Sequence, residues 1–130
     1  MATLVIAVGR AIITNRIKGA GTEPLNVGWG TAAGTTAKTD STLFTEALVS
    51  LAAGTTDHTA GTSTQQTTTV TNDTYRVVAT RTATGAGTVT NAGLWDAASG
   101  GTLFLKGDFT GIGLASGDSI QFTFSAVFAN

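Results

Sequence analysis

Residues 119–128 carry the clearest pattern in the chain. Ile120, Phe122, Phe124, Ala126 and Phe128 alternate with Ser119, Gln121, Thr123, Ser125 and Val127. Successive side chains of a strand point to opposite faces, so this alternation predicts a strand with one face in a core and the other toward something polar. Ser116-Gly117-Asp118 predicts the turn before it. Upstream, Thr102–Phe109 reads as a strand with Leu103 and Leu105 on one face and Phe104 on the other. Thr90–Asp96 reads as its hairpin partner across the short Gly-containing loop Ala97–Gly101. Asp73–Ala83 alternates Tyr75, Val77 and Ala79 with Arg76, Val78 and Thr80. Thr64–Thr71 is nearly all Thr and Gln, strand-prone but apolar only at Val70, which predicts an exposed or edge strand. Asn72-Asp73 would turn between these two.

The N-terminal half is less regular. Leu4–Val8 and Ala11–Ile17 read as strands separated by Gly9, and Lys18–Pro24 as a Gly-rich loop. Leu25–Gly30 reads as a short strand carrying Trp29, a core residue, and Thr31–Asp40 as a loop. Leu43, Phe44, Ala47, Leu48 and Leu51 make a helical stripe within Ser41–Ala52. A short helical turn near residues 40–44 followed by a strand is the expectation there. Gly54–Ser63 reads as a polar loop. Eight or nine short strands, 17 glycines and one proline predict an all-β single domain, an antiparallel β-sandwich or jelly-roll-like barrel.

Composition changes the picture of the surface. Only 12% of residues are charged, against roughly a quarter in ordinary soluble domains. Thr supplies about one residue in five. With 42% hydrophobic residues and a mean hydropathy of +0.22, such a chain resists aggregation poorly as a free monomer. A homo-oligomer, or attachment to a partner, resolves the conflict. The absence of cysteine excludes disulfides and thiolate metal sites. A net charge of −1 and a pI of about 5.6 give no basic excess for nucleic acid. No apolar run approaches the roughly 20 residues of a membrane span. The apolar start Leu4–Val8 has no basic residues before it and reads as a strand rather than a signal peptide, which predicts synthesis in a cytoplasm.

Candidate chemistry is sparse. His58, the only histidine, sits beside Asp57 in a polar stretch and is expected to be a solvated surface residue. It has no second His or Cys to complete a zinc site, and no Gly-x-Ser-x-Gly elbow accompanies it. Asp96, Asp108 and Asp118 fall at strand ends or turns. They are weak Ca²⁺ candidates, with the hydrogen bonding of turn backbone as the plainer role. Gly111-Ile112-Gly113 and Gly19-Ala20-Gly21 complete no nucleotide-binding fingerprint and read as loops. No cofactor is expected, and no enzyme. Asn72-Asp73-Thr74 matches a glycosylation acceptor by chance. Arg10, Arg16 and Lys18 place three of seven basic residues within one short segment. They suit docking on an acidic protein surface, or simply an edge strand kept soluble by charge. Trp95 is either core or an interface anchor.

Two stretches carry a resemblance. One is Val27-Gly28-Trp29-Gly30-Thr31 with its small-residue loop. The other is Thr90-Asn91-Ala92-Gly93-Leu94-Trp95-Asp96 through Gly101-Thr102-Leu103, continuing to Leu114-Ala115-Ser116-Gly117-Asp118-Ser119-Ile120-Gln121-Phe122. Over residues 27–128 the chain resembles small β-sandwich structural proteins of tailed bacteriophages, found as head decoration (cement) proteins and as tail-associated modules. The resemblance lies in turns and core positions and transfers no binding residue. It implies a virion structural protein assembled in a host cytoplasm, with a major capsid protein or another virion protein as partner. A tail or fibre module and a glycan- or receptor-binding module are the alternatives. Residues 1–25 lie outside it. They are read either as an N-terminal arm, as such segments often are in decoration proteins, or as the first strands of a sandwich completed by residues 26–130.

Overall fold

The computed structural model describes residues 3–128. They form an antiparallel β-sandwich of nine strands and one helix. The strands are β1 (Thr3–Val5), β2 (Asn26–Gly30), β3 (Glu46–Ala47), β4 (Thr59–Ala60), β5 (Thr62–Gln66), β6 (Thr74–Thr82), β7 (Gly87–Trp95), β8 (Leu103–Leu114) and β9 (Ser119–Val127); the helix is α1 (Arg10–Ile17). One sheet runs β1-β8-β7-β2-β3 with β4 also on β2, and the other runs β5-β6-β9.

The core lies between the sheets. Trp29 and Val27 on β2, with Ala92 and Leu94 opposite them on β7, face Val77 and Ala79 of β6 and Phe122, Phe124 and Ala126 of β9. The indole of Trp29 meets the ring of Phe122 edge to face, centroids 6.4 Å apart. The alternation in β9 thus does what its pattern predicts, with one exception. Phe128 is 55% exposed. Pairing with β6 ends at Val127, and Phe128 leaves the core after one last bond from its N–H to the Asp73 carbonyl.

The larger sheet is covered on its outer face as well. The register puts Gly28 beside Gly93, Gly30 beside Asn91 and Asn26 beside Trp95 on that face. The missing side chains leave a trough, and the chain from Asp40 to Glu46 lies across it. Leu43 packs there with Ile6, Trp95 and Leu103 in a second small core. Both faces of β8 are therefore buried around Leu103, Phe104 and Leu105.

Four expectations are corrected. Residues 11–17 form a helix, not a strand. Gly9 sits so close to β8 that a Cβ would lie 2.8 Å from Phe104 Cα. The chain turns away there, and Ile12 anchors the helix in the core, overriding the β preference of Ile12, Ile13 and Thr14. No helix forms over residues 40–44, where the trough takes an extended segment. A turn at Phe44–Thr45 leads into β3. The polar loop over 54–63 contains β4 and the start of β5. Finally, Gly111–Gly113 lie within β8, whose last residues pair with residues 87–89 of β7, and Val89 and Leu114 of this extension still pack in the core. The Thr/Gln-rich strand is an edge, as predicted, but it stops at Gln66.

Candidate functional site

Two groups of charged side chains stand out. One holds the outer trough and one end of the core together. In β3, Glu46 stands opposite Gly30, so its carboxylate points into the trough, while Ala47 opposite Trp29 points into the core. In β4, Thr59 pairs with Val27, which brings the preceding His58 over Gly28. A Cβ on Gly28 would lie 3.0 Å from the imidazole and 3.1 Å from Trp95 Nε1, so only glycine leaves room for the cluster. His58 donates from Nδ1 to the Ala97 carbonyl at 2.8 Å, since a carbonyl can only accept. Its Nε2 contacts Glu46 Oε1 directly. The expectation of a solvated His58 is overturned: the residue is 8% exposed and lies under Trp95.

Lys106 and Asn91 complete the trough. Lys106 Nζ donates to Asp40 Oδ2 at 2.8 Å and to the Thr42 carbonyl at 2.9 Å. Burial by itself would push the Asp40 carboxyl up, but the Ala37 amide and the Lys106 ammonium outweigh it and hold its pKa below the ordinary value. Asn91 accepts from the Phe44 N–H and donates to the Phe44 carbonyl, at 3.0 and 3.1 Å. At the end of the core, Arg81 lies over Trp29 and donates from Nη2 to Asp57 Oδ1 at 2.6 Å and to the Ala47 carbonyl at 3.1 Å. These groups bind loops to the sheet. A His–carboxylate pair has the atoms of a general base, but this one is shut beneath an indole, without access for a substrate.

The second group is exposed and lies on α1. Arg10, Arg16 and Lys18, singled out as interface residues, share this short helix and its end, and all are exposed. Among the described residues none of them forms a salt bridge. Along the helix Ile12 is buried, Ile13 half-buried and Ile17 82% exposed, so the apolar side of α1 runs from core to solvent. Beside it opens a groove of about 400 Å³, floored by Tyr75 and Phe104 and rimmed by Ile17 and Phe128. Tyr75 donates its hydroxyl hydrogen to the Pro24 carbonyl at 2.8 Å, with Glu23 Oε1 at 3.1 Å. Burial and then the neighbouring Glu23 carboxylate push the phenol far up, so it stays neutral and serves as a hydrogen-bond post.

The remaining candidates are not brought together. Trp95, expected as core or interface, is core and cannot anchor a partner. Asp96 accepts from the Thr102 amide, Asp108 from the Thr36 amide and Asp118 from the Ala115 amide. They occupy three separate places, each occupied with loop backbone, and no group of three potential metal ligands occurs among the described residues. Sequence reasoning missed Glu46, Asp40, Lys106 and Arg81, whose partners come from distant segments.

The comparisons add no relative: no family model, no curated protein and no solved structure matches the chain.

Proposed function

We propose that this protein is a non-enzymatic virion structural subunit, and specifically a capsid decoration protein that bridges neighbouring shell subunits. The observation that carries the reading is the exposed side of α1. It joins a bare isoleucine, an apolar groove and three exposed cations that form no salt bridge among the described residues. Such a face suits an acidic, partly apolar protein surface, because apolar burial supplies affinity and the cations supply orientation. The uncharged Thr-, Ser- and Gln-rich remainder suits close packing among many copies. The mechanism is mechanical. A subunit that binds only the assembled shell stabilises that shell by mass action. The resemblance over residues 27–128 supports a virion role in general.

A tail or fibre module is the second reading, and copy number separates the two. A glycan-binding module is disfavoured because Trp29 and Trp95, the side chains best suited to stacking on a sugar, are both buried. The test is electron microscopy of particles carrying a gold-labelled copy of the chain. Label spread over the head supports decoration. Label confined to the tail rejects it, and unlabelled particles reject the virion reading.

A further inference from the structure

We infer that β9 is a self-pairing edge, through which two copies of this chain join their β5-β6-β9 sheets into one continuous six-stranded sheet. Among the described residues β9 pairs only with β6. The register fixes which backbone groups remain. Phe128 N–H bonds to Asp73 O and Ala83 N–H to Asp118 O, so the even-numbered residues of β9 point their backbone groups at β6. In an antiparallel ladder these directions alternate. The N–H and C=O groups of Ser119, Gln121, Thr123, Ser125 and Val127 therefore point away from the sheet, and all five residues are exposed.

Natural edges are blunted by brevity, charge, proline or a bulge. β9 has none of these. It is nine residues long, Ser-Ile-Gln-Phe-Thr-Phe-Ser-Ala-Val, and its nine-pair register with β6 is unbroken. The other edges differ. β1, β3 and β5 have three, two and five residues. The free half of β8 carries Asp108, Gly111 and Gly113, opposite a register shift in β7.

The strand is also complementary to itself. A two-fold axis at Thr123 sets Thr123 against Thr123, Gln121 against Ser125 and Ser119 against Val127. All of these are outward-pointing residues, so each pair exchanges two hydrogen bonds, about ten in all. On the core side the same register sets Phe122 against Phe124 and Ile120 against Ala126. The apolar layer then runs on across the join, next to the half-buried Phe109, whose ring lies 6.3 Å from that of Phe122. No like charges oppose each other. A second copy is thus the occupant that this edge fits. The inference gives the self-association expected from composition a specific surface.

Sedimentation equilibrium of the whole chain tests it. The expected species at tens of micromolar has twice the 13.0 kDa of one chain. Thr123→Pro removes an outward N–H and none used by β6, which edge strands tolerate. It should give a monomer with an unchanged circular dichroism spectrum. Should that variant fail to fold, Thr123→Lys decides, since it opposes two like charges across the axis. In a chain without cysteine, Thr123→Cys should cross-link to a covalent dimer on oxidation, and Thr64→Cys on the β5 edge should not. A wild-type monomer, a dimer that survives Thr123→Lys, or cross-linking through position 64 in place of 123 overturns the inference. A monomer that still binds shells leaves the decoration reading standing.

Discussion

The imidazole of His58 lies flat beneath the indole of Trp95, with ring centroids 4.9 Å apart and planes 13° from parallel. This stack closes the outer face of the larger sheet over the Glu46 carboxylate. Removing the imidazole leaves that carboxylate buried and unpartnered. His58→Ala should therefore destabilise the fold by about 3–5 kcal/mol. Glu46→Gln keeps the shape and offers an amide N–H to the ring, so it should cost about 1 kcal/mol. Urea unfolding of both variants measures the difference; equal losses would mean that the carboxylate is hydrated after all.

Lys106 and Asp40 should show the same asymmetry. Asp40→Ala strands a fully buried ammonium and should cost about 3–5 kcal/mol, while Lys106→Met leaves only the partly solvated carboxylate and should cost less. The order of the two denaturation midpoints checks this.

The core assignment of β9 predicts unequal neighbours. Phe124 is 6% exposed and Thr123 is fully on the outer face. Phe124→Ala should cost about 3–5 kcal/mol by loss of buried rings and the cavity left behind. Thr123→Ala and Phe128→Ala should each cost under about 1 kcal/mol. A large loss at Phe128 would restore it to the core.

These contrasts show where the sequence was legible. Phe122 and Phe124 were readable because period-two alternation is local and needs no knowledge of the rest of the chain. α1 was not: Ile12, Ile13 and Thr14 favour strand, and what turns them into a helix is the close passage of Gly9 over Phe104. Glu46 and His58 were unreadable as a pair for a similar reason. Their meeting depends on two short strands docking on either end of β2, and on Gly28 leaving them room. Phe128 continued the alternation in sequence after its pairing partner had ended.

Asp73 predicts an acid limb to stability. Its carboxylate accepts the amides of Val70, Thr68 and Thr69 and the Thr74 hydroxyl. The Val70 amide first, then that of Thr68, hold its pKa well below the ordinary 3.8. The native state thus binds the proton less readily than the unfolded chain. Stability from this group is fully present above the unfolded value and is lost as pH falls toward the folded one. Asp73→Asn should be less stable than wild type at pH 7, and the gap should narrow in acid. A gap that widens on acidification would contradict the assignment.

In the proposed role, the exposed side of α1 fastens this protein to a virus shell. The most direct measurement is co-sedimentation of the purified chain with empty tailed-phage shells, wild type against the triple variant Arg10→Glu, Arg16→Glu, Lys18→Glu. The expected result is saturable binding at hundreds of copies per shell, a higher shell melting temperature, and loss of both in the variant while its own fold melts unchanged. Wild type that stays in the supernatant, or a variant that binds as well as wild type, would contradict it.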